Sequence, residues 1–428
     1  MIDTEKDNRK LVERAILIGI QDENTTEIEA QEHLEELKEL VAGTGIPIIS
    51  SKIIILKKKS AKYLMGSGKA EEINNLIINL DADCIIFDYE ISPSQQRNWE
   101  RLTKICVVDR QEIILDIFAN RASTREAVLQ VEVARMVYAL PRLTRAWTHL
   151  SRQKGGVKGS RGEGEQQIEI DRRLVKDKIR KLKLELEEVQ SQRKTQRKHR
   201  VNTITPHCAI VGYTNAGKSS LLNRLCGSAV LAEDKLFATL DPTTRKVCLP
   251  NNQDLLITDT VGFVRKLPHA LVEAFKSTLE EAVLADFLII VLDASSHHIE
   301  DHWETTISVL TELNANDKKK IVLFNKIDKI SDEEKEELKN LEIENVIFMS
   351  IYDEVGISEL VEFLVKETNK NKIEIKISVP PTRYEIISLA HRNANVLNSD
   401  YDDEANNLLS LSINPQLKST FNDFIIED

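Results

Sequence analysis

The stretch Gly212-Tyr213-Thr214-Asn215-Ala216-Gly217-Lys218-Ser219 limits what this chain can fold into more than any other. It follows a short apolar run, Cys208-Ala209-Ile210-Val211, that reads as a buried strand. It precedes Ser220-Leu221-Leu222-Asn223-Arg224-Leu225, which has the apolar spacing of a helix. Strand, G-x-x-x-x-G-K-S and helix, in that order, form the context of a phosphate-binding loop. Gly212 and Gly217 let the backbone curl until successive N–H groups point at one centre, and the new helix adds its positive end. Lys218 can reach terminal phosphate oxygens, and the Ser219 hydroxyl can ligate Mg²⁺. The plainer reading of the same residues is a glycine-rich turn with a surface Lys-Ser.

Later motifs weigh against that reading. Phe237-Ala238-Thr239-Leu240-Asp241-Pro242-Thr243-Thr244-Arg245 offers threonines that can complete a Mg²⁺ shell and sense a γ-phosphate; on chemistry alone Thr239, Thr243 and Thr244 compete. Leu255-Leu256-Ile257-Thr258 reads as a strand running into Asp259-Thr260-Val261-Gly262, where Asp259 can hold Mg²⁺ through water and the Gly262 N–H can meet the γ-phosphate. Lys320-Ile321-Val322-Leu323-Phe324 leads into Asn325-Lys326-Ile327-Asp328. The Asp328 carboxylate can accept from guanine N1–H and the 2-amino group, which adenine does not offer there. Asn325 can reach N7 and neighbouring loops, and the Lys326 stem can cover the base face. Val346-Ile347-Phe348-Met349 precedes Ser350-Ile351-Tyr352, whose backbone can meet guanine O6. Five motifs in this order, each at the carboxyl end of a predicted strand, point to GTP bound by a doubly wound α/β domain. Phe263 follows Asp-x-x-Gly where many GTPases carry a glutamine. A benzyl group cannot orient water, so intrinsic hydrolysis is expected to be slow and speeded by a partner; no residue is assigned as general base.

A chain of 428 residues has room for about two to four domains. Residues 9–122 alternate strand and helix signals, with strands at Ala15–Ile20, Ile53–Leu56, Cys84–Phe87 and Ile105–Val108, and imply a parallel α/β domain over 1–122. Gly66-Ser67-Gly68-Lys69 is a weak anion-binding candidate at a helix entry. Residues 123–200 carry two matching stripes, Leu129, Val133, Met136, Leu140, Leu143, Trp147 and Val175, Ile179, Leu182, Leu186, Val189, which read as an antiparallel helical hairpin kinked or split at Pro141. Its tip, 155–164, holds five glycines in ten positions and reads as a loop. Residues 201–370 form the nucleotide domain, with a further helix at Ala270–Leu284. Residues 371–428 read as a small α+β appendage: strands at Ile373–Val379 and Asn407–Ile413, helices at Tyr384–His391 and Leu417–Ile425.

The net charge is −11, yet residues 142–200 hold 18 Lys and Arg against 8 Asp and Glu. Cations, a flexible tip and Trp147 suit RNA backbone and unstacked bases; a solvated charged hairpin is the bland alternative. Five scattered cysteines without a C-x-x-C pair suggest a reducing cytoplasm, and Met1-Ile2-Asp3-Thr4-Glu5-Lys6-Asp7 does not read as a signal peptide. The longest apolar runs, such as Phe287–Leu292, are strand-sized, so no transmembrane segment is expected.

The sequence resembles the HflX family of translational GTPases over about residues 9–370. The resemblance rests on Gly66–Lys69, Leu140-Pro141-Arg142-Leu143-Thr144-Arg145, the glycine-rich stretch 155–164, Glu169-Ile170-Asp171-Arg172-Arg173, the Gly212–Ser219 loop and Phe237–Thr243. It singles out Thr239 as the Mg²⁺-binding switch threonine, with Ser219 as the other protein ligand. It also implies association with the large ribosomal subunit through the N-terminal domain and basic hairpin, and GTP-dependent splitting or rescue of ribosomes under stress. The glycine-rich loop departs from the family's Gly-Pro-Gly-Glu-Thr-Gln, reading Gly162-Glu163-Gly164-Glu165-Gln166-Gln167. A monomer in the cytoplasm is the expectation. The competing reading is a GTP-dependent scaffold with protein or membrane-surface partners, peripheral to a membrane.

Overall fold

A computed structural model describes residues 12–145, 161–201, 205–227, 237, 240–251, 253–265, 281–296, 298–370, 372–402, 406–413 and 415–426. Contacts divide the chain into two units, the first reaching Gln190 and the second holding most of the chain from Ser191 onward.

In the first unit, β1 (Ala15–Gln21), β2 (Ile48–Ile55), β3 (Cys84–Phe87) and β4 (Cys106–Asp109) make a parallel sheet of order β2-β1-β3-β4. β1 as far as Ile20 and all of β3 are apolar and buried, and both strands are central, as expected of parallel strands covered on both faces. Local chemistry sets the helix ends. Glu27–Thr44 starts on a capping box of Thr26 and Glu29 and stops at left-handed Gly45, and Pro93–Thr103 starts on one of Ser92 and Gln95. Trp99 is fully buried against Phe87 and Tyr63, its indole N–H donating to the Tyr63 carbonyl at 3.1 Å.

The hairpin's first helix, Arg125–Ala139, gives way at Pro141 to a 3₁₀ segment, Leu140–Arg145. The second, Arg161–Val201, packs Leu182, Leu186 and Val189 against Leu129, Val133 and Met136. It begins earlier than the glycines suggest, since Gly162 and Gly164 lie inside it; Gly155, Gly156, Gly159 and Trp147 lie outside the described residues.

The second unit is built on six strands: β5 (His207–Gly212), β6 (Thr243–Cys248), β7 (Asp254–Asp259), β8 (Phe287–Asp293), β9 (Lys319–Asn325) and β10 (Val346–Phe348). Their order is β10-β9-β8-β5-β7-β6, all parallel except β6, which runs antiparallel to β7. Alternate residues of β5 feed two cores, Cys208 and Ile210 one face, Ala209 and Val211 the other. Strand order reverses around β5, which places the loop after it at the sheet's switch point. Only 281–284 of the expected helix Ala270–Leu284 is described, and it is helical.

A third sheet, β11 (Ile373–Val379), β12 (Asn395–Tyr401) and β13 (Asn407–Ile413), is antiparallel with order β11-β13-β12, and the helix Tyr384–Asn393 packs with it. The sequence pattern leaves β12 and β6 unassigned and starts β2 at Ile53 instead of Ile48. All three are edge strands: β6 and β12 are mostly exposed, and Ser50-Ser51-Lys52 interrupts the isoleucines of β2, so no continuous apolar pattern marks them. The expected helix Leu417–Ile425 breaks into Pro415–Leu417, Lys418–Phe421 and Asn422–Phe424, because the short segment packs Phe421 inward instead of presenting a helical stripe.

Candidate functional site

The loop after β5 needs both its glycines. Gly212 has φ +144°, and a Cβ there would lie 2.2 Å from the Val291 carbonyl oxygen of β8. Gly217 has φ +101°, and a Cβ there would lie 2.3 Å from Asn325 Nδ2. Asn215 also takes a left-handed φ, of 60°. The helix Lys218–Leu225 then begins, so its first N–H groups open into the loop's curl.

Lys218 is 7% exposed and its Nζ donates to the Tyr213 carbonyl at 2.6 Å. Burial pushes its ammonium down to about 8, with the Asp259 carboxylate opposing the shift. The Ser219 hydroxyl donates to Asp259 Oδ2 at 2.6 Å. Asp259, at the end of β7, is buried, and Thr260 beside it donates to the Ile210 carbonyl at 2.7 Å. A serine hydroxyl and a buried carboxylate side by side are hard oxygen donors of the kind Mg²⁺ takes. Val261 is buried. Gly262 lies tight on the phosphate loop: a Cβ would be 2.7 Å from Thr214 Cγ2 and 2.9 Å from Lys218 Nζ. Phe263 donates its N–H to the Gly212 carbonyl at 3.0 Å and accepts from the Thr214 N–H at 2.7 Å. Its ring is buried in the core that includes Tyr213 and Ile299.

At the end of β9, Asn325 bridges two loops. Its Nδ2 donates to the Ala216 carbonyl at 2.8 Å, and its Oδ1 accepts from the Ile351 N–H at 3.3 Å. Lys326 takes a left-handed φ of 66° and pairs with Asp293 at 2.7 Å. Asp328 accepts from the Ser350 hydroxyl at 2.6 Å, and that hydroxyl accepts the Asp353 N–H at 3.1 Å. Ile327 opens a 3₁₀ turn, and Tyr352 is 89% exposed.

The residues around 237–244 are less united. Ala238 and Thr239 lie outside the described residues. Leu240 is buried, and the Asp241 carbonyl accepts from the Thr243 hydroxyl at 3.5 Å. Thr244 sits in β6 with its hydroxyl 2.8 Å from that of Thr258. Phe237 groups with the first unit, its carbonyl accepting from Arg121 at 2.7 Å and its ring 4.6 Å from that of Phe118.

Three features escape motif reading. Ser350 braces Asp328 by its side chain, Asp293 holds Lys326, and Tyr213 is engaged through its ring and hydroxyl. Only Asp293 had a signal, its place at the carboxyl end of an apolar strand.

A phosphate loop at the switch point of a doubly wound sheet, with Asn-Lys-x-Asp two strands away, defines a P-loop GTPase. Family models match as GTP-binding GTPase N-terminal over 31–119, GTP-binding GTPase Middle Region over 121–200 and 50S ribosome-binding GTPase over 207–326. The GTPase HflX of Akkermansia muciniphila is 48% identical over 410 residues, 93% of this chain and 94% of that protein. The GTPase HflX of Escherichia coli (strain K12) is 40% identical over 370 residues, 86% of each chain. A solved GTP-binding protein from the hyperthermophilic archaeon Sulfolobus solfataricus, in complex with GDP, is 26% identical with a TM-score of 0.45, over 84% of this chain and 99% of that one. The chain belongs to the HflX family of GTPases, and it binds and hydrolyses GTP. No helix among the described residues is long and apolar enough to cross a membrane.

Proposed function

We propose that this chain is a cytoplasmic, monomeric, GTP-switched factor of the large ribosomal subunit that splits or rescues ribosomes under stress. The N-terminal α/β domain and the basic hairpin carry it to ribosomal RNA. What supports the RNA contact is the reversal of charge sign: a surplus of cations over 142–200 in a chain of net charge −11. The match of residues 207–326 to a family described as 50S ribosome-binding GTPase supports the ribosome as the partner.

In this reading the backbone of Gly212–Ser219 and the Lys218 ammonium hold the β- and γ-phosphates. Asp328, aimed by Ser350, reads guanine N1–H and the 2-amino group. Asn325 locks the phosphate loop to the Ile351 loop, which meets guanine O6. Ser219 and Thr239 would hold Mg²⁺, with Asp259 as the neighbouring carboxylate, and the ion would supply positive charge against the phosphates. The Gly262 N–H follows the γ-phosphate, and loss of that contact on hydrolysis releases the loop. Phe263 leaves the water unoriented, so turnover is slow until a partner reshapes the site.

GTP turnover of the full chain, with and without purified large ribosomal subunits and across a salt series, tests this. The expected result is strong stimulation that falls steeply with salt. No stimulation at any salt rules out the ribosome and leaves the scaffold reading.

A further inference from the structure

Tyr213 stands where phosphate binding asks nothing of a side chain, since the loop's anion contacts come from backbone N–H groups, Lys218 and Ser219. Its side chain is nevertheless engaged at both ends. The phenolic oxygen accepts the Arg265 N–H at 2.6 Å. The ring stacks on His302, in the helix Ile299–Glu312, with 3.7 Å between centroids and 16° between planes. Tyr213 is itself 7% exposed.

The backbone makes the same connection. The Phe263 N–H to Gly212 carbonyl and Thr214 N–H to Phe263 carbonyl bonds run alongside the phenol bond. Residues 263–265 are thus pinned to 212–214 by three hydrogen bonds, one of which depends on a single side chain. Gly262 sits beside that pinned stretch with no room for even a Cβ. Any displacement of its N–H towards a γ-phosphate therefore moves 263–265 against 212–214 and loads the phenol bond. The stack on His302 fixes where the phenol oxygen stands, because a tyrosine side chain has only two torsions and the ring plane is held.

We propose that Tyr213 is a positioning residue that slows intrinsic GTP hydrolysis: its phenol, braced by His302, holds the Arg265 backbone and so restrains the Asp-x-x-Gly loop against the phosphate loop. This rests on the GTPase activity of the family and not on the ribosomal reading.

Full-chain Tyr213→Phe keeps the ring and its stack but removes the acceptor. Intrinsic kcat for GTP is expected to rise about three- to tenfold, the range one hydrogen bond of ordinary strength covers. KM for GTP and the affinity for a fluorescent GDP analogue should stay within about twofold. His302→Ala should move kcat in the same direction by less, and His302→Phe, which restores a ring to stack on, should return it to the parent value. An unchanged or lower kcat in Tyr213→Phe overturns the proposal, as does a change in kcat matched by an equal change in GDP affinity. A His302→Ala rate equal to the parent overturns the bracing role.

Discussion

Two glycine-lysine turns open helices in this molecule, and they differ in backbone curvature and in the burial of the lysine. At Gly66-Ser67-Gly68-Lys69 the chain needs no glycine: a Cβ at Gly66 or Gly68 would meet nothing within 4 Å. Lys69 is half exposed and pairs with Glu72 at 3.0 Å; Lys52 pairs with the same carboxylate, and the two lysines hold Glu72 down to about 2. At Gly212–Ser219 the backbone is left-handed at both glycines, each Cβ is forbidden, and Lys218 is buried near Asp259. The difference teaches that a motif's chemistry lies in backbone curvature and burial; the residue letters alone do not supply it. The weak candidate at 66–69 is a helix entry whose lysine serves a surface ion pair, a contact of small energetic weight.

The largest effect that would sharpen this contrast is expected from Lys218→Ala. GTP affinity should fall about 100-fold, as for loss of a buried charge-assisted contact, read by displacement of a fluorescent GTP analogue. Affinity within about threefold of the parent would break the comparison.

The units also differ in how they treat buried charge. In the nucleotide unit the buried charges Lys218 and Asp259 stand together at the phosphate loop. In the N-terminal unit they satisfy one another. Arg110 links Asp88 and Glu36 at 2.8 and 2.7 Å, and Arg142 reaches Asp109, Gln96 and the Ile91 carbonyl while stacking on Tyr138. Burial, with Asp109 and Asp116 adding to it, raises Glu112 from 4.5 to about 7 against the opposing pull of Arg142 and Tyr138. The folded state therefore holds this proton more tightly than the unfolded chain. Stability from protonated Glu112 is full below about pH 4.5 and is lost as pH rises through about 7, by on the order of 3 kcal/mol. Glu112→Gln should flatten that loss and raise the melting temperature at about pH 8 while leaving GTP affinity untouched. A melting curve that keeps the parent's pH dependence would count against a structural role for the cluster.

A smaller effect is expected from Ser350→Ala, which strips Asp328 of its brace. GTP affinity should weaken about three- to tenfold, measured by calorimetry. The smallest belongs to Lys69→Ala: nucleotide affinity within about twofold of the parent, and a loss of about tenfold there would make Gly66–Lys69 an anion site after all.

Central strands were legible because burial on both faces leaves an apolar run, as in Phe287–Asp293. Edge strands were not. Thr243–Cys248 and Asn395–Tyr401 are held by the backbone of a neighbour, and their exposed side chains carry no pattern. Gly162 and Gly164 pointed to a loop for a related reason, since a helix of 41 residues absorbs glycines that local propensity counts against. At the site, the residues that touch ligand in the proposed chemistry were visible as motifs. Those that aim them, Ser350 on Asp328 and Tyr213 on Arg265, meet across 22 and 52 positions of chain, and no spacing rule reaches that far.

By itself the sequence determined the class of chemistry. Two glycines at phosphate-loop spacing, a lysine and a serine at a helix start, and an Asn-Lys-x-Asp after an apolar strand are the residue types that phosphate and guanine call for. The tertiary structure decided which of two glycine-lysine turns is curled and buried, and which side chains brace the reading groups. Those outcomes depend on strand order and on hydrogen bonds between loops that meet only once the sheet has formed.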